Sequence, residues 1–247
     1  MSDVMNTCFV TFDSADGTPI QGYLASPEGN DLRGAVIVLH HLPGFDRATR
    51  EITRRIAVMG YDALLINLYW RQAPTASPDD AAAVARAMGG VPDDQIVADA
   101  AGAAAFLRAL PTSNARVDTI GFCSGGRQSV LVGCRVDVDA VVDCYGAYVT
   151  GTPGPDFPLK VTGLESMLPD LRAPLLGLFG NDDAFPSPED VDQLEAILTG
   201  LGKPHDLVRF DNASHAFFFV DRDSYRVHAA LEGWERVSSF YSAHLGA

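Results

Sequence analysis

The sequence predicts an α/β fold, with a mostly parallel, doubly wound sheet of about eight strands flanked by helices. Continuous apolar runs at 35–40 and 62–68 are typical of strands that helices cover on both faces. Helix start and stop signals follow most runs of this kind. No stretch rich in Ser, Gly or Pro divides the 247 residues, so we expect a single domain over residues 1–247.

The N-terminal part of the chain predicts a hairpin followed by a strand-helix-strand unit. The runs 7–12 and 21–26 are separated by a turn sequence, which indicates a hairpin at an antiparallel edge of the sheet. Between the two apolar runs above, Asp46 can cap a helix that extends through Met59 and ends at Gly60. Such a unit implies parallel strands with a right-handed crossover.

The rest of the chain repeats this alternation. Helix starts are marked by serine N-caps, N1 prolines and acidic first turns. A Gly- and Pro-rich interruption at 151–171 indicates a loop or cap segment at the edge of a site. The predicted helices are 77–88, 92–110, 124 onward, 187–198 and 224–245, and the predicted strands are 116–120, 138–145, 174–180 and 205–210.

Composition narrows the class of protein. A net charge of −14 and a pI near 4.6 argue against nucleic acid or an anionic membrane surface as a partner. The chain shows no secretory signal and no apolar run long enough for a membrane span. Its four cysteines are widely spaced, which favours a reducing compartment. We therefore predict a cytoplasmic protein, monomeric or a small homo-oligomer.

The turn at 121–126, Gly-Phe-Cys-Ser-Gly-Gly, follows the strand predicted at 116–120. The pattern G-x-C-x-G has the form of a nucleophile elbow, a strand-to-helix turn that presents a reactive side chain above the sheet. Glycines allow the strained backbone and its neighbours to approach closely. We predict Cys123 as the nucleophile. Ser124 is the alternative, although Phe122 then occupies a position that G-x-S-x-G keeps for glycine.

An acid and a histidine follow the last two predicted strands. In open parallel sheets the reacting groups lie beyond the carboxyl ends of the strands, which selects Asp182 or Asp183 and then His215. The chain order nucleophile, acid, histidine is the order of α/β-hydrolases. His215 would accept the thiol proton and later protonate the leaving oxygen, while the aspartate would orient the imidazole.

Backbone groups complete the predicted site. The N–H groups of Leu42 and Ser124 would bind the oxyanion that develops during acyl transfer. A metal is not expected, because His40 and His41 are adjacent strand residues that point to opposite faces and no H-x-H or H-E-x-x-H pattern occurs.

Four motifs of the chain belong together. They are Cys123 in its elbow, Gly-Asn-Asp-Asp at 180–183, Ser-His-Ala-Phe at 214–217 and Leu-Tyr-Trp-Arg-Gln-Ala-Pro at 68–74. Together they resemble the dienelactone hydrolase family, the carboxymethylenebutenolidases, from about Gly22 to the final helix. The elbow cysteine and the Leu-Tyr-x-Arg-Gln-Ala-Pro stretch are the most specific of the four.

The resemblance implies an α/β-hydrolase fold and hydrolysis of a lactone or ester through a thioester, with no cofactor. It implies a triad of Cys123, His215 and Asp183, the last preferred over Asp182 by its spacing from Gly180. It also implies that Arg71 helps to bind a substrate carboxylate.

Two departures from the family bear on the substrate. His41 stands where well-studied members carry a glutamate, and the second arginine expected after the triad histidine is replaced by Phe217-Phe218-Phe219. A bulkier or less charged ester is therefore an alternative substrate. Alternative functions are a thioesterase, an aryl esterase, or a non-catalytic ligand-binding protein on the same scaffold. The residues expected to bind substrate are His41, Trp70, Arg71, Tyr145 and Phe218.

Overall fold

The computed structural model describes residues 4–246 and confirms the predicted α/β fold. Within that range eight strands form one sheet: β1 (Met5–Asp13), β2 (Pro19–Pro27), β3 (Arg33–Leu39), β4 (Asp62–Ile66), β5 (Ser113–Phe122), β6 (Ala140–Cys144), β7 (Leu175–Gly180) and β8 (His205–Phe210). The helices are α1 (Arg47–Val58), α2 (Pro78–Ala87), α3 (Asp93–Arg108), α4 (Ser124–Arg135), α5 (Pro188–Gly200) and α6 (Val227–His244), with a 3-10 turn at Leu168–Asp170.

The strand order is β1-β2-β4-β3-β5-β6-β7-β8. The pairs β1·β2 and β2·β4 are antiparallel, and every other pair in the sheet is parallel. The predicted hairpin and its antiparallel edge are therefore confirmed. This order places the carboxyl ends of β4, β3, β5, β6, β7 and β8 side by side along one edge of the sheet.

Successive residues of the central strands enter two separate apolar cores, one on each face of the sheet. Ile37 and Leu64 pack with α2, α3, α4 and α5 on one face, whereas Val38 and Leu65 pack with α1 and α6 on the other. Burial on both faces explains why residues 35–39 of β3 and 63–66 of β4 form continuous apolar runs rather than alternating ones.

Most predicted helix starts coincide with observed caps. The Asp46 carboxylate accepts a hydrogen bond from the backbone N–H of Thr49 at 2.8 Å, and Ser77 caps α2 in the same way. Ser187 and Asp190 form a reciprocal capping box at α5. Strand β5 begins three residues earlier than predicted, because Ser113 pairs with Arg33 across a register shift. No helix within residues 4–246 is long and apolar enough to cross a membrane.

Candidate active site

Cys123 occupies the sharp turn between β5 and α4. Its backbone adopts φ 58° and ψ −120°, a conformation that is strained for a residue with a side chain. Two hydrogen bonds hold this conformation: the Cys123 N–H donates to the carbonyl of Cys144 at 3.0 Å, and its carbonyl accepts from the N–H of Gly126 at 2.9 Å. The turn directs the Cys123 side chain away from the sheet edge.

The glycines of this turn are required by close backbone approach. A Cβ atom on Gly121 would lie 1.7 Å from the carbonyl oxygen of Gly125, and one on Gly125 would lie 2.2 Å from the carbonyl oxygen of Leu39. Both obstacles are backbone atoms that cannot rotate away. The first turn of α4 therefore rests directly on β3 and β5, which positions the helix N-terminus at Cys123.

Asp183 and His215 meet at the same edge, after β7 and β8. The Nδ1 atom of His215 lies 2.7 Å from the Oδ2 atom of Asp183, whose Oδ1 accepts a hydrogen bond from the N–H of Phe185 at 2.9 Å. The Tyr145 ring packs edge-on against the imidazole, with 5.0 Å between centroids. The rival acid Asp182 is exposed, whereas Asp183 is buried.

The charge of His215 depends on both of its neighbours. Burial alone would lower its pKa, but the hydrogen bond to Asp183 and the interaction with Cys123 outweigh that cost and raise the pKa of His215 to about 10. The imidazole is therefore protonated at neutral pH. Since Nδ1 faces Asp183, Nε2 is the atom available to Cys123. A cation beside a cysteine sulfur favours the thiolate, the nucleophilic form.

Cys123 lies where two depressions of the surface meet. The first is a cavity of about 180 Å³ that is also lined by Leu42, Tyr69 and Ser124. The second is a more open depression of about 580 Å³ that contains Asp183 and His215. Tyr148 and Phe157 line both of them. The sulfur thus has the base and acid on one side and a substrate-sized space on the other.

The residues expected to bind the oxyanion line the first cavity. Within residues 4–246, the backbone N–H groups of Leu42 and Ser124 donate no hydrogen bond to another group of the protein. Ser124 is the first residue of α4, where the backbone N–H has no partner within the helix. Both residues therefore present a backbone donor without a partner in this range at the cavity that Cys123 also lines.

The structure does not bring Arg71 to either depression. Its Nη1 atom lies 2.7 Å from Oδ2 of Asp16, and its Nη2 atom forms a short contact with Oδ1 of the buried Asp99. Nη2 also donates to Ser14 at 2.9 Å. Arg71 therefore joins the β1–β2 turn to α3, and its guanidinium is occupied by two carboxylates. The expectation that it anchors a substrate carboxylate does not fit this position.

Two of the predicted aromatic pocket residues lie in the core, and the third is partly buried against it. Tyr145 is fully buried beneath His215, and Phe218 packs against Phe122 and Trp234. Trp70 packs against the core on the α3 side of the sheet. None of these three lines the Cys123 cavity or the open depression, so they support the site from below rather than form its surface.

His41 is also turned away from the cavity. It is buried, its ring packs edge-on against Phe219 at 4.4 Å, and its Nε2 atom lies 3.4 Å from Oδ2 of Asp46. Although burial opposes the effect, His41 and Thr49 lower the pKa of Asp46 well below its usual range. The His41 side chain is therefore held by the N-cap of α1 and does not line the site.

The sequence analysis did not predict three charged residues of the first cavity. Arg86, at the end of α2, and Lys160 are both exposed at the rim, and neither forms an ion pair within residues 4–246. Arg127 is buried and forms a bidentate pair with Asp93, at 2.9 and 2.8 Å. Lys160 lies in the loop that we predicted at the edge of a site, residues 151–171, and this was the one sequence feature that pointed to it. No sequence feature pointed to Arg86.

No group of three or more His, Cys, Asp or Glu side chains within residues 4–246 is arranged to hold a metal ion. The chemistry available at the site is that of the thiol, the imidazole, the carboxylate and the backbone N–H groups.

Comparison with known proteins gives concordant results. A family model described as "Dienelactone hydrolase family" matches residues 20–245. A candidate carboxymethylenebutenolidase from Salmonella typhimurium strain LT2 is 30% identical over 245 residues, covering 96% of this chain and 87% of that protein. One from Methylorubrum extorquens strain AM1 is 31% identical over 227 residues, covering 90% of this chain and 76% of that protein. The crystal structure of a candidate dienelactone hydrolase from Klebsiella pneumoniae superposes with a TM-score of 0.83 at 26% identity, covering 98% and 100%.

Proposed function

The chain belongs to the dienelactone hydrolase family, and from this premise we propose that it hydrolyses a lactone or carboxylic ester with a triad of Cys123, His215 and Asp183. The observation that carries the proposal is the arrangement of His215 between Asp183 and Cys123, with a pKa raised to about 10. It supports attack by the sulfur of Cys123 with the imidazolium of His215 beside it.

In the first half of the reaction the Cys123 thiolate attacks the carbonyl carbon. The carbon-sulfur bond forms while an electron pair moves onto the carbonyl oxygen, which the N–H groups of Leu42 and Ser124 stabilise. When that pair returns, the carbon-oxygen bond of the ester or lactone breaks. The leaving oxygen takes the proton from Nε2 of His215, and a thioester remains on Cys123.

In the second half His215, now neutral, takes a proton from water. The resulting hydroxide attacks the thioester carbonyl, the carbon-sulfur bond breaks, and the thiolate leaves. The acid product loses its proton to solvent, and the thiolate and the imidazolium with which the reaction began are restored. Asp183 acts throughout by fixing the tautomer and orientation of the imidazole and by stabilising its positive charge. These steps need no cofactor, because the triad supplies nucleophile, acid and base.

We infer that the preferred substrate carries a negative charge. Arg86 and Lys160 stand at the rim of the cavity, where neither forms an ion pair with another side chain of residues 4–246, whereas Arg127 is neutralised by Asp93. In a chain of net charge −14, two unpaired cations at one cavity create a local field that attracts an anion. This inference replaces the role expected of Arg71 and weighs against a less charged ester as the preferred substrate.

We further propose that residues 1–247 work as one α/β-hydrolase domain, because one sheet includes strands from Met5 to Phe210 and the last helix, α6, packs against β6 and β7 of that sheet. A cytoplasmic location and a monomeric or small homo-oligomeric state stay predictions.

Hydrolysis of p-nitrophenyl acetate and of a dienelactone tests the proposed function. We expect Cys123→Ala to lose activity and Cys8→Ala, which removes an exposed thiol on β1, to retain it. Iodoacetamide should inactivate the wild type and the Cys8 variant alike, and substrate should protect both. Full activity of Cys123→Ala would refute the proposal. If Ser124→Ala were inactive at the same time, the nucleophile would be Ser124.

A further inference from the structure

Tyr69 follows β4 and lies on the oxyanion side of the site. Along the edge of the sheet the order is β4, β3, β5, β6, β7 and β8, which bear Tyr69, Leu42, Cys123, Tyr145, Asp183 and His215. Tyr69 and Leu42 are therefore on one side of Cys123, and the acid and base are on the other. The same division holds for the surface: Tyr69, Leu42 and Ser124 share the 180 Å³ cavity, which contains neither Asp183 nor His215.

The Tyr69 ring is held firmly. Only 5% of the residue is exposed, and its ring packs edge-on against His40 with 4.8 Å between centroids. His40 is itself fixed, because its Nδ1 atom bonds to the carbonyl of His41 at 2.9 Å and its Nε2 atom accepts from the N–H of Leu68 at 3.2 Å. Burial lowers the pKa of His40 to about 4, so it is a neutral support.

The Tyr69 hydroxyl is a free donor. Within residues 4–246 it forms no hydrogen bond. Its oxygen is not fully buried, so the hydroxyl reaches open space. Its charged neighbours are Cys123 and Arg86, both of which line the cavity. Burial, reinforced by Cys123, raises the pKa of Tyr69 above its ordinary value, and Arg86 only partly opposes this. The hydroxyl therefore keeps its proton at neutral pH.

We propose that the Tyr69 hydroxyl is a third hydrogen-bond donor to the oxyanion formed when Cys123 attacks a carbonyl, beside the backbone N–H groups of Leu42 and Ser124. This inference rests on the proposed function. As the carbon-sulfur bond forms, the electron pair that moves onto the carbonyl oxygen strengthens the hydrogen bond from the phenol. The proton stays on the Tyr69 oxygen, and the bond weakens again when the carbonyl re-forms.

Tyr69→Phe is the informative variant, since it removes one oxygen atom and keeps the ring against His40. Loss of one oxyanion donor lowers kcat by about 10²-fold, with KM little changed. A trifluoromethyl ketone provides a second readout, because the thiolate adds to it and leaves an oxyanion in the same place. We expect the inhibition constant of this ketone to rise by a factor close to the loss in kcat/KM.

Tyr241→Phe is the matched control. That hydroxyl is buried and also lacks a partner among residues 4–246, but it lies on α6, in the core on the other face of the sheet. We expect Tyr241→Phe to have the kcat and the ketone affinity of the wild type. Both Tyr69→Phe and Tyr241→Phe should have the thermal unfolding temperature of the wild type.

Two outcomes separate this inference from the function on which it rests. An active Cys123→Ala variant would refute both. If Cys123→Ala is inactive while Tyr69→Phe keeps kcat or ketone affinity within about threefold of the wild type, only the role of Tyr69 is refuted.

Discussion

The Nδ1 atom of His215 lies 2.7 Å from the Oδ2 atom of Asp183, and the second oxygen of this carboxylate is held by the N–H of Phe185 at 2.9 Å. The aspartate thus has one oxygen committed to the backbone and one to the imidazole. This arrangement leaves a single orientation for the ring, with Nε2 available to Cys123.

Asp183→Asn should test that orientation. An amide can present its NH₂ group to Nδ1, which favours the tautomer with the proton on Nε2 and removes the charge that stabilises the imidazolium. We expect kcat to fall by about 10²- to 10⁴-fold, as in other triads that lose their aspartate.

The comparison is with Asp182→Asn, the neighbouring acid that is exposed. Its activity should stay within about threefold of the wild type. An equal loss in both variants would contradict the assignment of Asp183.

The pH dependence of acylation follows from the raised pKa of His215. The imidazolium must protonate the leaving oxygen, and its pKa in the free enzyme is raised to about 10. We therefore expect kcat/KM, which reports on the free enzyme, to decrease as pH rises through about 10. A decrease centred near the ordinary histidine value of 6.5 would contradict the ion pair.

The free energy of unfolding should also depend on the protonation of His215. The folded-state pKa of His215, about 10, is above its ordinary value of 6.5. Protonation of His215 therefore stabilises the folded protein fully at pH values below 6.5, and this stabilisation is lost as the pH rises to about 10. Thermal unfolding from pH 6 to 10 should show a shallower decline for His215→Gln than for the wild type. His228→Gln, at an exposed histidine, should decline as the wild type does.

Substrate charge can be tested at the cavity rim. Replacing Arg86 and Lys160 together by Gln should raise KM for a carboxylate-bearing ester about tenfold and leave KM for its neutral methyl ester unchanged, because only the anion loses an electrostatic partner.

Arg71→Gln provides the contrast. It breaks an ion pair with the buried Asp99 and should lower the free energy of unfolding by about 3 kcal/mol or more, without altering the ratio of the two KM values. A changed ratio in this variant would restore the substrate role first expected of Arg71.

The elbow glycines make a prediction about folding. Gly125→Ala places a Cβ atom 2.2 Å from the carbonyl oxygen of Leu39, so α4 must move away from β3. We expect loss of the folded state or a Tm far below that of the wild type. Gly200→Ala, at a helical glycine with open space around it, should instead be neutral or stabilising by up to about 1 kcal/mol. Equal Tm values for the two variants would contradict this prediction, because they would show that α4 can move away from β3 without loss of stability.

Local patterns were sufficient for the fold. Strands buried on both faces need continuous apolar runs, and helix caps need particular side chains, so both leave direct marks in the sequence. The elbow was equally readable, since the approach of Gly125 to Leu39 admits only glycine. The acid and the histidine could be predicted as well, because parallel strands bring their carboxyl ends to one edge. The structure places Asp183 and His215 together there.

The walls of the cavity were decided by tertiary structure alone. Arg71 belongs to a family motif, yet which carboxylates surround it depends on how the β1–β2 turn meets α3, and Asp16 and Asp99 are far from it in sequence. Arg86 and Lys160 line one rim only because α2 and the 151–171 loop converge there. The sequence by itself therefore determined the sheet, the elbow and the candidates for the triad, whose geometry follows from short-range rules. Packing between distant segments decided which cations of the cavity form no ion pair within residues 4–246, and it left the hydroxyl of the cavity residue Tyr69 without a hydrogen bond to any group in that range.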